Sequence, residues 1–225
     1  MIIAIDGPSG AGKSTLGKML AKKLDLLYLD TGAMYRAVGL AVRRRGISFD
    51  DKSALQHIAE TAEINLVGEP DDLSVLLDGE DITKEIRTPE VGEAASKVST
   101  ISEVRRIMVD HQRAIGNAAA GGCVLEGRDI GSVVFPNADV KFFLTARPEA
   151  RAMRRFTEDS GRGRLTSYEQ TLAEINERDQ RDVSRQDSPL TIADDAVVID
   201  TSELDLSEVF DPMVEHINKA GSAAA

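Results

Sequence analysis

Residues 2–15 read IIAIDGPSGAGKST, and this stretch decides how the chain begins to fold. The apolar residues of Ile2–Asp6 predict a short buried strand. The segment GPSGAGKS (7–14) that follows fits the pattern G-x-x-x-x-G-K-[ST] of a phosphate-binding loop. Apolar residues then recur at helical spacing, which predicts a helix over Lys13–Lys23. The loop therefore lies between a strand and a helix, the context in which this motif binds phosphate.

Each part of the loop has a physical role in holding a nucleoside triphosphate. Glycines let the backbone turn and bring N–H groups close to the phosphates, and the helix N-terminus adds a favourable dipole. Lys13 is expected at the β- and γ-phosphates, and the Ser14 hydroxyl at Mg²⁺. The predicted ATP-binding residues are Gly7, Pro8, Ser9, Gly10, Ala11, Gly12, Lys13, Ser14 and Thr15. The alternative is a glycine-rich turn that binds nothing.

The composition narrows the class of protein. The 225 residues, 42% of them hydrophobic, suffice for one large domain or one domain with an insertion. A net charge of -11 argues against nucleic-acid partners, which require a cationic surface. Arginines nevertheless cluster at 151–164 and 178–185, which indicates a site for a small anion. With a single cysteine, no signal peptide and no membrane-length apolar run, we expect a cytoplasmic protein without membrane partners.

Short apolar runs and amphipathic segments alternate along most of the chain. The runs predict five buried parallel strands, at Ile2–Asp6, Leu26–Asp30, Cys123–Glu126, Val140–Leu144 and Ala196–Asp200. The amphipathic segments predict helices at Lys13–Lys23, Ala33–Arg45, Val104–Asn117, Pro148–Glu158, Tyr168–Arg185 and Leu206–Lys219. This alternation predicts an α/β fold, a parallel sheet with ligands at the carboxyl ends of its strands.

The alternation fails between about residues 64 and 98. INLV (64–67) and SVLLDGEDI (74–82) predict two or three short antiparallel strands, followed by a helix over Pro89–Val98. We interpret this segment as an insertion into the parallel fold. The low-complexity tail, residues 220–225, is expected to be disordered.

Four segments together resemble bacterial-type cytidylate kinase. They are GPSGAGKST (7–15), DTGAMYR (30–36), EGRDIGSVVFPNADVKFFLTA (126–146) and ERDQRDVSR (177–185). The resemblance covers nearly the whole chain, including the insertion. It implies a P-loop kinase core with a five-stranded parallel sheet flanked by helices, an antiparallel β insertion in the monophosphate-binding region, and a mobile lid. It assigns residues 1–30 and 102–219 to the core, 156–167 to the lid and 31–101 to the monophosphate-binding region.

The activity that the resemblance implies is transfer of the γ-phosphoryl group of ATP to CMP or dCMP. It implies Mg²⁺ as the cofactor, held through Ser14, and a catalytic set of Lys13, Arg36, Arg128 and Arg155. The implied substrate-binding residues are Thr31, Tyr35, Arg36, Ser96, Arg105, Arg128, Asp129, Arg178, Asp182 and Arg185. Arg151, Arg154 and Arg155 match the base of the lid, near the ATP phosphates. The partners are then small molecules only, and a monomer is expected.

The chemistry of cytosine and phosphate supports these roles. A carboxylate such as Asp129 accepts from the exocyclic amine of cytosine, whereas uracil presents a carbonyl there, so an acceptor would face an acceptor. Arginine forks bind two phosphate oxygens at once. The chain departs from the family pattern at two positions: Ser14 follows the lysine where many relatives have glycine, and Glu126 stands where aspartate is common.

Ordinary structural roles remain as alternatives. Arg36 and Arg128 could form surface salt bridges, Thr31 could cap the helix that follows it, and Asp129 could be a helix cap or a structural ion-pair partner. The i, i+4 and i+3 spacing of Arg178, Asp182 and Arg185 also fits a solvated charged helix face.

Other functions also remain open. A kinase for another nucleotide or a small metabolite shares the phosphate-binding loop. A GTPase would need an N-K-x-D motif, which the chain lacks. A nucleotide-binding module without activity is the third class, and the intact lysine and arginines argue against it.

Overall fold

The computed structural model describes residues 1–223. The strands are β1 (Ile2–Asp6), β2 (Leu27–Asp30), β3 (Ile64–Val67), β4 (Ser74–Leu77), β5 (Glu80–Asp81), β6 (Cys123–Gly127), β7 (Val140–Thr145) and β8 (Val197–Asp200). The helices are α1 (Lys13–Leu24), α2 (Thr31–Arg44), α3 (Lys52–Thr61), α4 (Pro89–Val98), α5 (Ser102–Ala118), α6 (Pro148–Gly161), α7 (Tyr168–Ser184) and α8 (Leu206–Ala223). Short 3₁₀ turns at Pro70–Asp72 and Glu85–Arg87 and a π-helical turn at Ile130–Val134 complete the assignment.

Five strands form the central sheet, in the order β2-β6-β1-β7-β8, and every neighbouring pair is parallel. This confirms the predicted five-stranded parallel sheet. The prediction that all five strands are buried is wrong for β8, which lies at the edge of the sheet with Val198 50% exposed. The register places Asp6 of β1 opposite Gly127 of β6, and Asp30 of β2 opposite Glu126. Three carboxylates therefore lie close to the carboxyl edge of the sheet, where the loops that follow the strands also converge.

Helices cover both faces of the sheet, as its apolar strands require. One core cluster combines Ala4 and Leu29 of the strands with buried residues of α2, α3, α4 and α5. The other combines Ile3 and Ile5 with buried residues of α1 and α8. Successive residues of β1 thus enter opposite clusters, because successive side chains of a strand point to opposite faces.

The insertion forms a separate antiparallel sheet in the order β3-β4-β5, as predicted. Val75 and Leu77 of β4 are buried in the cluster on the α2 side of the central sheet. The turn that follows β5 ends in the 3₁₀ segment Glu85–Arg87 and leads into α4. The insertion therefore packs on the same side of the central sheet as α2.

Several sequence predictions of element bounds are wrong. Helix α3 was not predicted, although the Asp51 carboxylate accepts from the Ala54 N–H at 3.0 Å and caps the helix N-terminus. Helix α6 continues to Gly161, so the first half of the predicted lid is helical. Helix α8 continues to Ala223, so residues 220–223 of the predicted disordered tail are helical, and residues 224–225 lie outside the described part of the chain. No helix within residues 1–223 has the length and apolarity needed to cross a membrane.

Candidate active site

The loop between β1 and α1 has the backbone that phosphate binding needs. Gly7 has φ 143°, and a Cβ atom there would lie 1.9 Å from the carbonyl oxygen of Leu144 on the neighbouring strand, so only glycine fits. Gly12 precedes α1 with φ 92° and, having no side chain, does not cap the N–H groups of this helix. The first N–H groups of α1 are therefore available to an anion, as the motif predicted.

Lys13 lies across this loop and is 7% exposed. Its ammonium group donates to the carbonyl oxygen of Pro8 at 2.8 Å. Burial lowers the pKa of Lys13, and the nearby charge of Arg128 lowers it further. A bound polyphosphate would oppose both effects, because it replaces a carbonyl partner with full negative charge. Ser14 and Thr15 are exposed in the first turn of α1, on the side open to a ligand.

Glu126 is the penultimate residue of β6, beside the loop, and is 4% exposed. Its carboxylate accepts from the Tyr28 hydroxyl at 2.6 Å. Burial raises the pKa of Glu126, and the neighbouring Asp30 raises it further, whereas Lys13 and the hydroxyls of Tyr28 and Ser14 oppose the rise. The carboxylate thus belongs to the same group of charges as the lysine of the loop.

The Ser14 hydroxyl and the Glu126 carboxylate fit a magnesium ion that arrives with a nucleotide. Both are hard oxygen donors, and they lie close enough for the Ser14 hydroxyl to lower the pKa of Glu126. Within residues 1–223, no group of three or more His, Cys, Asp or Glu residues forms a dedicated metal site. Since Mg²⁺ is usually held by one or two protein groups plus phosphates and water, such a cluster is not required.

Thr31 begins α2 but does not cap it. Asp30 is the N-cap, and its carboxylate accepts from the Ala33 N–H at 2.8 Å. The Thr31 hydroxyl instead donates to the carbonyl oxygen of Glu126 at 2.6 Å and is buried. The capping role considered for Thr31 is therefore wrong, and its side chain ties the start of α2 to the end of β6.

Asp129 lies at the centre of a buried polar cluster beyond β6. It is 5% exposed, and its carboxylate accepts from the guanidinium of Arg105, which is 3% exposed. A second guanidinium, that of Arg185, lies 3.9 Å from its other oxygen. The Arg105 guanidinium also lies 5.7 Å from the centre of the Tyr35 ring. Four predicted substrate residues from four different segments thus come together, and Asp129 is an ion-pair partner as well.

Several buried polar atoms lack partners within the described residues, among them the Nε of Arg105 and two atoms on α4 and α5. The Ser96 hydroxyl on α4 and the side-chain nitrogen of Gln112 on α5 are both buried without a hydrogen bond. Buried polar atoms rarely remain unpaired, so these atoms are candidates to bind a ligand. Ser96 was predicted from the resemblance, whereas Gln112 was missed, because nothing in its helical position distinguishes it from a core residue.

The second cluster is a group of arginines beside the phosphate-binding loop. Arg128 donates to Asp182 at 2.7 Å, and Asp182 is 5% exposed. Arg178, one turn earlier on α7, has a buried Nε without a partner among the described residues. Burial lowers the pKa of Arg178 to about 9, and the charges of Arg128, Arg36 and Arg155 contribute. The alternative of a solvated helix face for this part of α7 is therefore wrong.

Arg36 approaches the same group from α2. Its guanidinium donates to the carbonyl oxygens of Ile86 at 2.7 Å and Thr88 at 3.5 Å. Burial lowers its pKa to about 10, and the charge of Arg87 is the next largest cause. Neutral carbonyl partners do not compensate a buried cation, so Arg36 is suited to a stronger anionic partner. The surface salt bridge considered for it is not present in the described structure.

The predicted lid-base arginines have different partners. Arg151 donates to the Ser9 carbonyl oxygen at 3.2 Å and pairs with Asp179 at 2.6 Å. Arg154 donates to the Gly10 carbonyl oxygen at 3.3 Å. Both therefore brace the phosphate-binding loop from α6. The Nε of Arg155 instead donates to Asp159 at 2.9 Å, and within residues 1–223 Arg155 forms no hydrogen bond with this loop.

Three further residues of the site were not predicted as functional: Arg87, Asp159 and Glu126. Arg87 pairs with Asp30 at 3.2 Å, and Asp159 is a 7% exposed carboxylate near the end of α6. The signal for Glu126 was its position at the carboxyl end of a predicted strand. Arg87 had no such signal, because its partner Asp30 lies 57 residues away. Asp159 had none because an i, i+4 pair with Arg155 is typical of an ordinary charged helix face and its burial depends on tertiary packing.

Comparisons with known proteins show which family the chain is similar to. The family model described as Cytidylate kinase matches residues 3–219. The chain is 47% identical to a cytidylate kinase of Geobacter sp. (strain M21), over 95% of this chain and 91% of that protein. It is 49% identical to a cytidylate kinase of Caldanaerobacter subterraneus subsp. tengcongensis, over 96% of this chain and 94% of that protein.

Among solved structures, an uncharacterised protein from Eubacterium ventriosum ATCC 27560 superposes on the chain with a TM-score of 0.52 and a sequence identity of 13%. The superposition covers 97% of this chain and 98% of that protein. At this identity the likeness concerns the fold alone. The family model and the high identity to full-length relatives carry the assignment, and on that basis the chain belongs to the cytidylate kinase family.

Proposed function

We propose that the chain transfers the γ-phosphoryl group of ATP to CMP or dCMP, giving ADP and CDP or dCDP. Membership of the family supports the reaction. The structural observation that carries the proposal is the convergence of Arg36, Arg128, Arg155 and Arg178 from four segments. Burial and the charges of the other three arginines lower the pKa of Arg178 to about 9. Arg128 and Arg155 each pair with an aspartate, whereas Arg36 and Arg178 have no ion-pair partner among the described residues, which suits a bound phosphate.

The donor half of the site is the loop 7–15. Its N–H groups and the start of α1 would hold the β- and γ-phosphates, with Lys13 as a mobile cation. Arg151 and Arg154 would support the loop by holding the carbonyl oxygens of Ser9 and Gly10. Bound Mg²⁺, held through Ser14 with Glu126 behind it, would neutralise charge on the transferred phosphoryl group.

The acceptor half lies opposite, at the ends of β2 and β6. Arg128, oriented by Asp182, is placed to hold the CMP phosphate, and Arg36 would exchange its carbonyl partners for that phosphate. Two arginines on one phosphate fix an oxygen in line with the γ-phosphorus, and such positioning is the main requirement of phosphoryl transfer. The attacking oxygen is already ionised near neutral pH, so no general base is needed.

Asp129 is the group that we assign to the cytosine amine. Its carboxylate lies between two guanidinium groups in a buried place, and Arg105 or Arg185 would donate to the ring acceptors. The unpartnered Ser96 hydroxyl adds a further donor or acceptor near the base. We place Arg155 at the transferred phosphoryl group, where it would stabilise developing charge when residues 156–167 close as a lid.

The first test is ADP release in a coupled assay with CMP, dCMP, UMP and AMP as acceptors. We expect turnover with the cytidine nucleotides above the other two. Lys13→Ala should lower kcat by about two orders of magnitude or more with the fold intact, since it removes a charge from the transition state. Lys23→Ala, an exposed lysine near the end of the same helix, is the matched control. Turnover of Lys13→Ala equal to that of the control would contradict the donor site.

Two further proposals concern the protein as a whole. We propose that it acts as a monomer, since both halves of the site come from one chain, and light scattering after size exclusion tests this. We propose a cytoplasmic location because the reaction consumes ATP, and fractionation of cells tests it.

A further inference from the structure

The lid and the monophosphate-binding region touch through a pair of side chains that the reaction scheme above does not use. Asp159, near the end of α6, accepts from Arg155 at 2.9 Å and from Arg164 at 2.8 Å. The other arm of the Arg164 guanidinium donates to the carbonyl oxygen of Arg87 at 2.8 Å. One carboxylate thus connects an arginine of the active site with a contact to the insertion.

The position of Asp159 is electrostatically unfavourable without these partners. It lies two residues before the end of α6, where the helix dipole favours cations and disfavours a carboxylate. It is also 7% exposed, so water does not compensate the charge. Two guanidinium groups, one on each oxygen, supply the compensation. The carboxylate and the two arginines therefore form one unit, which we call the Asp159 clamp.

The far end of the clamp reaches a segment that also holds acceptor residues. Arg36 donates to the carbonyl oxygens of Ile86 and Thr88, and Arg164 donates to the one between them. The Arg87 side chain pairs with Asp30 at the end of β2. Three successive carbonyl groups thus accept hydrogen bonds from two arginines, one of the acceptor site and one of the lid.

We infer that Asp159 is a positioning residue for phosphoryl transfer, which holds Arg155 toward the transferred phosphate and, through Arg164, joins the lid to the segment beside Arg36. The inference rests on the proposed function for the role of Arg155. Occupation of the acceptor site and the position of the lid are then coupled, because Arg36 and Arg164 donate to successive carbonyl groups of residues 86–88. A turn of Arg36 toward the CMP phosphate then changes the segment to which Arg164 is bound. Loss of the clamp should raise the KM for CMP and leave the active site open to water.

The test compares Asp159→Asn with Glu158→Gln. Glu158 is the neighbouring carboxylate on α6, pairs with Arg162 at 2.8 Å and is half exposed, so its variant is the matched control. For Asp159→Asn we expect kcat/KM for CMP to fall by roughly tenfold or more, as for loss of a hydrogen bond to a charged group. The KM for CMP should rise, the KM for ATP should stay near its original value, and the ratio of CMP-independent ATP hydrolysis to transfer should increase. Arg164→Ala should show the same pattern, and the double variant should be no worse than the more impaired single variant.

A merely structural role predicts a different outcome. The melting temperature and kcat would then fall together, with KM for CMP and the hydrolysis ratio unchanged, and that result overturns the inference. Wild-type turnover with CMP in the same assay tests the proposed function separately. Hydrogen exchange of ligand-free protein gives a readout without catalysis: amides of residues 85–88 should exchange faster in Asp159→Asn than in Glu158→Gln. Equal exchange in the two variants refutes the contact between lid and insertion.

Discussion

Replacing Asp129 with asparagine should relax the choice between cytosine and uracil. The carboxylate can only accept hydrogen bonds, so it matches the cytosine amine and opposes the uracil carbonyl. An asparagine amide carries both a donor and an acceptor and can pair with either base. The expected change is a fall in the ratio of kcat/KM for CMP to that for UMP, with the absolute value for CMP falling as well.

The magnitude follows from the burial of the group. Asp129 is 5% exposed, so the hydrogen bond is made away from water and involves a charged partner. Such a bond contributes about 1.5–3 kcal/mol, which corresponds to a roughly 10- to 150-fold change in the ratio. The substitution also leaves Arg105 and Arg185 without their carboxylate, and breaking a buried ion pair costs about 3–5 kcal/mol of stability. Assays are therefore best run well below the melting temperature of the variant.

The coupled ADP-release assay with CMP and UMP measures the ratio directly, and thermal unfolding with CMP checks that the variant is folded. Asp182→Asn is the matched control. Asp182 is equally buried, at 5% exposed, and its short ion pair is with Arg128, which we assign to the phosphate, whereas Arg185 lies 4.0 Å away. Its variant should lose activity toward CMP and UMP by similar factors. If Asp129→Asn keeps the original ratio, or if both variants shift it equally, the assignment of the base to Asp129 is refuted.

Three other outcomes follow from the arginine cluster and from two buried polar side chains. CMP at about 100 times its Kd should raise the unfolding free energy by about 2.7 kcal/mol. Cytidine, which lacks the phosphate for Arg36 and Arg178, should stabilise the protein much less in a thermal shift assay. Equal shifts with the two ligands would contradict the phosphate site. Burial raises the pKa of Cys123 to about 12, so about one thiol in 10⁴ is ionised at pH 8 and Ellman's reagent should label it only after unfolding. The thiol is protonated in both the folded and the unfolded state below about pH 9, so its contribution to stability is present there and is lost as the pH rises toward 12. Rapid labelling of the native protein would show that the thiol is accessible. Tyr28→Phe removes the hydroxyl that donates to buried Glu126 and should lower the unfolding free energy by about 1–3 kcal/mol in urea denaturation, whereas an unchanged value would mean that water replaces the hydroxyl.

Local sequence patterns predicted the phosphate-binding loop and the strands of the central sheet well, because these elements depend on residues close together in the sequence. The glycines, the lysine and the following apolar spacing of residues 2–24 specify strand, loop and helix within one short stretch. Runs without alternation predicted strands buried on both faces. All five form the parallel sheet, although the edge strand β8 is exposed on one face. Helix α3 was not predicted, and helices α6 and α8 were predicted too short, because the ends of these helices depend on caps or on packing.

The site was predictable where its residues follow strands. Asp30, Glu126 and Asp129 each end or follow a predicted strand, and parallel topology brings such ends to one edge. The choice of partners was not predictable in the same way. Whether Asp129 pairs with Arg105 or Asp182 with Arg128 depends on how helices α5 and α7 pack, over separations of 24 and 54 residues.

By itself the sequence determined the phosphate-binding loop, the parallel sheet and, through the resemblance, the family, since these depend on residue types at short spacing. Only the tertiary structure decided which arginines lie near one another, that Asp30 rather than Thr31 caps α2, and that Arg164 joins Asp159 to the carbonyl group of Arg87. The physical reason is that burial and electrostatics act through space. A guanidinium becomes a binding group when the fold removes water and places like charges beside it, and no spacing along the chain records that.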